Sequence, residues 1–405
     1  MSNNPYISAK SNSSRRNFYV LLGLLIMICL GTVYSWSIFR LHIESLYGIG
    51  STLSGLPYMT SLAFYALFMF ISGRYIDRYS PRLIITLGAT LIAVGWILSS
   101  FATNIYIFTL FYGVVSGTGV GIAYGVPMAV AAKWFPKNKG LAVGLVLVGF
   151  GLSPLVTAPI ARSLIISIGA MKTFMVLGIS FGVLLPILSL PLSYPQDTDE
   201  LKTEKRDSTS SISVGMNTTQ MMHSAAFKPL YINFLIGSMI GLMMIGMTSS
   251  VGVGFSNLPP ETVYTLLPLF AIFNGVGRPI FGWLTDRTSI LRAMNISYVL
   301  IILAASLMIF SGSGNAAFFA IAFSIFWFNL GGWLAIAPGA TISLFGQKHY
   351  SQNYGVVFTA YGIGAIIGVL ASGVLLDMLK DYRIIFGFII ALCIFGILYS
   401  RNMKA

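Results

Sequence analysis

Twelve stretches of the chain are apolar over a length that can cross a bilayer as helix, and no other feature constrains the fold as strongly. They cover residues 18–40, 56–76, 82–102, 104–132, 139–164, 172–194, 228–255, 262–285, 289–311, 315–345, 352–378 and 384–400. A hydrocarbon core about 30 Å thick takes about 20 helical residues, so each run is long enough or nearly so. The fourth, fifth, seventh, tenth and eleventh are longer, which predicts tilt or a start outside the hydrocarbon. With 56% hydrophobic and 9% charged residues among 405, the chain has far more apolar surface than a soluble core could hide. The predicted fold class is an all-α membrane protein with twelve transmembrane helices in two six-helix bundles.

The division into halves comes from the only long polar segment, Gln196–Ala226, rich in Asp, Glu, Lys, Ser and Thr. It reads as a flexible linker. The predicted organisation is a tail over 1–17, a bundle over 18–195, a linker over 196–227 and a second bundle over 228–405. Placing both termini in the cytoplasm puts eighteen of the 24 Lys and Arg residues in cytoplasmic segments. Only Arg40, Arg162, Lys172, Lys380 and Arg383 then fall on the other side. That bias predicts a multi-pass protein of a cell inner membrane with both ends inside. The net charge of +13 belongs to loops facing anionic lipid, so nucleic acid is not an expected partner. The first run is too long for a signal-peptide core and has no cleavage site after it, which predicts a first span. Cys29 and Cys393 both lie in apolar runs and offer no disulfide framework or metal site.

One full charge interrupts the apolar pattern. Arg278 stands in the eighth run, eight residues before Asp286, where the run meets water again. That is a depth of roughly 12 Å, near the middle of the hydrocarbon. An arginine there costs at least ~2.5 kcal/mol, so it must face a wet cavity or a partner. Its planar fork holds a carboxylate through two parallel hydrogen bonds, which predicts an anchor for an anionic substrate. The structural alternative is an arginine bonded to neighbouring carbonyls. Asn274 lies one turn earlier on the same face, where its amide can hold the guanidinium, meet a second polar group such as a substrate hydroxyl, or pack helices. Pro279 is predicted to loosen the helix beside the site. No Asp or Glu falls in the middle of a run, and the histidines His42, His223 and His349 lie at ends or in loops. Arg278 therefore has no carboxylate of the chain at its depth, and no acid–histidine relay for protons is visible.

The two halves repeat one signal. GRYIDRYSPR, Gly73 to Arg82, follows the second run, and GWLTDRTSILR, Gly282 to Arg292, follows the eighth. In each, a glycine is followed four residues later by Asp-Arg. Gly73 and Gly282 are predicted to let a helix end approach a neighbour. Asp77 and Asp286 can pair with an arginine or cap a neighbouring helix. With Arg78, Arg82 and Arg287 these residues read as gate and scaffold for a two-bundle transporter with its site at midplane.

The repeated loop resembles the signature of the major facilitator superfamily. Four further stretches resemble its oxalate:formate antiporter family and the related monocarboxylate transporters: GTVYSWSIF (Gly31 to Phe39), GTGVGIAYG with KWFPKNKGLAVG (Gly117 to Gly144), FNGVGRPIFGW (Phe273 to Trp283) and FGQKHYSQNYG (Phe345 to Gly355). The resemblance covers nearly the whole chain. It implies transport of small carboxylates by alternating access, with Arg278 matching the carboxylate-binding arginine. It also marks a departure. Counting from Asn353-Tyr354-Gly355, the family's oxalate exchanger has a lysine where this chain has Tyr361, and aromatic residues where it has Leu330 and Leu334. One cation suits one carboxylate, so a monocarboxylate fits better than oxalate.

Tyr34, Tyr124 and Tyr361 come from runs one, four and eleven, and each offers an apolar ring with one hydroxyl to a short carboxylate. Interfacial anchoring or helix packing is the alternative for each. Tyr112, Ser116, Val120 and Tyr124 are spaced to share one helix face, as are Asn353, Val357 and Tyr361. The small residues of Gly117–Gly125 and Gly362–Gly368 predict close helix contacts. The expected function is secondary transport of a small monocarboxylate such as lactate, pyruvate or acetate, with a proton as candidate co-substrate. An oxalate/formate-type exchanger is the alternative. No cluster at membrane depth suggests an enzyme, and no cofactor or metal is expected; the protein is expected to be a monomer in lipid.

Overall fold

The computed structural model describes residues 5–76, 78–135, 139–195, 215–311, 313–346 and 348–403. Among them, twelve helices are long and apolar enough to cross a membrane. In chain order they are α1 (Arg16–Tyr47), α2 (Ser51–Ser72), α3 (Pro81–Ser99), α4 (Ile105–Trp134), α5 (Gly140–Ile168), α6 (Ala170–Ser189), α7 (Phe227–Phe255), α8 (Pro260–Arg287), α9 (Ile290–Phe310), α10 (Ala316–Phe345), α11 (Gln352–Leu379) and α12 (Tyr382–Ser400). The described residues contain no strand. The architecture is all-α and multi-pass, as the run pattern predicts.

Packing repeats with an offset of six. In the first half α1 packs on α5, α2 on α4 and α3 on α6; in the second, α7 packs on α11, α8 on α10 and α9 on α12. The halves meet along two seams related by the same offset, α2 against α11 and α5 against α8. The outer faces of the outlying helices stay apolar and exposed, as at Leu83 and Leu87 of α3 and Leu303 of α9, where lipid replaces core. Glycines carry the tightest crossings. A Cβ on Gly119 of α4 would lie 2.5 Å from the Gly88 carbonyl of α3, and one on Gly362 of α11 would lie 2.7 Å from Ala66 Cβ of α2. Both belong to the small-residue segments read as contact faces.

The helices are not uniform. Gly31–Ser35 tightens to a 3₁₀ turn inside α1, and Thr109–Ser116 widens to a π-turn inside α4. Pro279 lies within α8, which stays helical from Pro260 to Arg287. The α5 and α10 backbones packed on either side of α8 hold it in place.

Two segments differ from the sequence reading. Residues 215–226 are not a free linker. Asn217 and Gln220 form a reciprocal capping box at the helix Thr218–His223. Asn353 of α11 then grips this segment, donating to the Met216 carbonyl at 2.9 Å and accepting from Thr218 Oγ1 at 3.1 Å. Residues 196–214 lie outside the described residues. The second difference is at Arg40, read as the far end of the first run. The first helix runs on to Tyr47, and Arg40 is 1% exposed.

The side carrying both termini is called here the terminal side, and its opposite the far side. At the far side three polar ties among the described residues cross between halves. Arg40 Nη1 donates to the Gly246 carbonyl of α7 at 3.0 Å, while Nη2 and Nε engage Ser51, Ser54 and Glu44 within its own half. Asp377 at the end of α11 accepts from the Ser51 and Thr52 amides at 2.9 Å, capping α2 from the other half. Arg162 of α5 pairs with Glu261 of α8. Toward the terminal side, Gly140 and Gly144 of α5 and Gly339 of α10 have nothing within 4 Å of a Cβ position.

Candidate functional site

The centre of the molecule is built around α8. Gly277 and Gly331 let α8 and α10 approach until a Cβ on either would lie 2.2 or 2.0 Å from a facing carbonyl. This contact fixes Asn274, whose Nδ2 donates to the Trp327 carbonyl of α10 at 2.9 Å. With Nδ2 held there, Oδ1 turns toward α5. Arg278, one turn on, is 4% exposed. Its Nε, Nη1 and Nη2 and the Asn274 Oδ1 are all buried without a hydrogen-bond partner in the described protein. The structural alternative for Arg278, bonding to neighbouring carbonyls, is therefore not what the geometry displays.

Across the seam, α5 offers a glycine. A Cβ on Gly151 would lie 2.6 Å from Asn274 Oδ1, 3.1 Å from Gly275 Cα and 3.2 Å from Arg278 Nε. Only a residue without a side chain lets the first half come this close to the cation. No sequence argument singled it out, because its partners belong to another helix.

The tyrosines divide. Tyr34, set in the 3₁₀ turn of α1, and Tyr361 of α11 share a hydrogen bond of 2.7 Å between their hydroxyls, which joins the halves at this level. Tyr124 joins them through an aromatic cluster rather than a hydrogen bond. Its ring lies 4.9 Å from Tyr65, 5.2 Å from Phe150 and 6.3 Å from Phe358. Phe358 in turn stacks on Tyr361 at 4.8 Å, and Phe150 meets Tyr34 edge-on at 5.1 Å. Tyr65, Phe150, Tyr354 and Phe358 were missed from sequence. The spacing of Tyr354, Phe358 and Tyr361 along one face of α11 was the available signal.

Tyr112 does not belong to this group. It lines a cavity within the first half together with Ser116 and Val120, as their spacing predicts. It packs on Trp36 at 5.1 Å and Trp96 at 5.3 Å, inside the first half. Asn353, expected on the Tyr361 face, is occupied with the segment before α7.

The repeated loops lie at the terminal side. Arg82 donates to the Leu192 carbonyl beyond α6 at 3.3 Å, and Arg78 lies over the Tyr75 ring at 5.9 Å. Asp77 is outside the described residues. Asp286 and Arg287 are exposed and form no ion pair among the described residues. The close approach expected at Gly73 and Gly282 is not present in this conformation. A Cβ on Gly73 would meet only carbonyls of its own helix, at 3.3 Å or more, and one on Gly282 nothing nearer than 4.0 Å. Neither glycine sits at a close helix contact, in contrast to Gly277 in the crowded middle of α8. No group of three or more His, Cys, Asp or Glu able to hold a metal is found among the described residues.

Residues 20–345 match the family model of the Major Facilitator Superfamily. The chain belongs to this superfamily. The twelve-helix fold agrees, and the protein is accordingly an MFS-type secondary transporter of small solutes. Among curated relatives, the oxalate:formate antiporter of Oxalobacter formigenes is 26% identical over 90% of this chain and 86% of its own. Monocarboxylate transporter 12 of Xenopus laevis is also 26% identical, over 79% of this chain and 74% of its own. Among solved structures, a bacterial homolog of the human lysosomal transporter Spinster, inward-facing and occupied, superposes with a TM-score of 0.69. It is 14% identical and covers 99% of this MFS chain and 97% of that one, a likeness of fold.

Proposed function

We propose that this MFS protein carries a small monocarboxylate of the lactate, pyruvate or acetate type, held by Arg278. The observation that carries the reading is the guanidinium buried at 4% exposure with all three nitrogens unbonded within the described protein. A buried unpaired cation is strongly unfavourable, and a carboxylate with two parallel acceptors relieves it. Binding and charge neutralisation are then one event. The neighbouring Asn274 and the tyrosines Tyr34, Tyr124 and Tyr361 supply polar atoms and ring faces around a short carbon chain. Arg278 is the one cation at this depth in the sequence, which favours a single carboxylate over oxalate. Kinship with an oxalate:formate antiporter and a monocarboxylate transporter supports the class of cargo. Proton symport is the preferred coupling, and exchange of carboxylates is the second reading, favoured by the lack of a titratable acid at membrane depth.

The reading also assigns the parts. The terminal side faces the cytoplasm of a cell inner membrane, the bundles 18–195 and 228–405 rock about Arg278, and the loops carrying Gly73, Asp77, Arg78, Arg82, Gly282, Asp286 and Arg287 serve as the cytoplasmic gate. The Tyr34–Tyr361 bond and the far-side ties correspond to a state closed to the exterior. Uptake of labelled L-lactate into proteoliposomes tests the function. Symport is expected to show uptake into empty vesicles driven by an inward proton gradient. Uptake only into lactate-loaded vesicles would establish exchange, and no uptake in either format would refute the monocarboxylate reading.

A further inference from the structure

At the far side, between the ends of α1, α5 and α8, lies a cavity of about 350 Å³. Its polar lining is His42 and Ser45 of α1, Arg162 of α5 and Glu261 of α8; the rest is apolar, including Ile166 and Tyr264. This lining suits an anion with a short apolar tail. Arg162 is 30% exposed, with Nη2 engaged by Glu261 and the Tyr264 ring 5.9 Å from its guanidinium carbon. Its Nε is buried with no hydrogen-bond partner. Glu261 is 67% exposed, so water already solvates most of its carboxylate. An ion pair of this exposure adds little stability.

The three far-side ties differ in what could replace them. Arg40 is buried and bonded to backbone carbonyls, and Asp377 caps backbone amides. Neither can be exchanged for a free carboxylate without rebuilding a helix end. The Arg162–Glu261 tie is itself a guanidinium–carboxylate pair at the wall of a cavity, and a second carboxylate reproduces it. We infer that Arg162 is a second, weaker anion subsite, where an entering small carboxylate displaces Glu261 and releases the α5–α8 tie at that end. A carboxylate tethered on a facing helix acts at an effective concentration on the order of millimolar or above, so the free anion should bind there in that range. This inference rests on the reading of the cargo as a carboxylate, and its test separates the two sites.

The probe is acetate, followed by saturation-transfer NMR on the purified full-length protein. In an Arg278→Gln background a residual acetate signal is expected. Adding Arg162→Gln should lower it at least fivefold, and adding Glu261→Gln should raise it severalfold. In the native background, Arg162→Gln should raise the half-saturation for uptake from the far side about fivefold and leave that from the terminal side unchanged. A residual signal indifferent to Arg162→Gln, or Arg162→Gln and Glu261→Gln shifting binding in the same direction, would overturn the subsite. An acetate signal insensitive to Arg278→Gln alone counts against the central arginine instead, and the response to Arg162→Gln still decides the outer site.

Discussion

Replacing Gly151 by alanine adds one methyl group at the point where α5 meets the cation. The new Cβ would lie 2.6 Å from Asn274 Oδ1 and 3.2 Å from Arg278 Nε. An ordinary contact starts near 3.4 Å, so the overlap at the amide is about 0.8 Å. The amide cannot rotate away freely, because its Nδ2 is bonded to the Trp327 carbonyl, and α10 blocks α8 from behind. The seam must therefore open by several tenths of an ångström. Overpacking of this kind costs about 1–3 kcal/mol, or roughly five- to 150-fold in an equilibrium constant. If Arg278 and Asn274 hold the substrate in this geometry, Gly151→Ala should raise the half-saturation for L-lactate uptake about tenfold or more. The paired control is Gly144→Ala, two turns earlier on α5, where nothing lies within 4 Å of the added methyl. That change should leave half-saturation unaltered and slightly raise the melting temperature in detergent, as alanine is the better helix former by about 1 kcal/mol. Equal half-saturation in Gly151→Ala and the native protein, or equal shifts in both variants, would refute the reasoning.

Other residues give independent tests. Tyr361→Lys introduces a second cation at the Tyr34 hydroxyl in exchange for their hydrogen bond, and should shift preference toward dicarboxylates in competition assays; an unaltered preference would remove Tyr361 from the selectivity argument. Arg40→Met strips four hydrogen-bond contacts from the far side, among them the one to the Gly246 carbonyl of the other half. A loss of about 2–4 kcal/mol in stability is expected, seen as a lower melting temperature; an unchanged one would show that the network contributes nothing. Asn353→Ala should loosen residues 216–218 from α11, with faster proteolysis in that segment and little change at the central site.

How much of this was legible in the sequence depends on how local the signal is. The spans were legible because hydropathy is a property of a continuous run. Arg278 stood out because one charge in such a run is costly wherever its neighbours lie, and Asn274 followed from helical spacing. Gly151, Tyr65 and Phe150 carry no comparable mark. Each matters only through a helix distant in sequence. Tyr112, Ser116 and Val120 do share a face, but it lines a cavity within the first half, while Tyr124 meets Phe358 of the other half. Arg40 was read as the end of the first span. A charge near the end of an apolar run looks like the end of the span, although Glu44 one turn later was a hint that the helix goes on. The Asn217–Gln220 capping box was readable and was overlooked within a polar segment.

The central claim concerns what Arg278 holds, and binding measures it without assumptions about coupling. Titration of the purified protein with L-lactate should give saturable binding that Arg278→Ala lowers at least a hundredfold, as expected when a buried charged pair loses one partner. The variant should remain extractable and monodisperse, since the guanidinium bonds to nothing in the described protein that its removal would leave unpaired. Undiminished L-lactate binding by a folded Arg278→Ala protein would contradict the account.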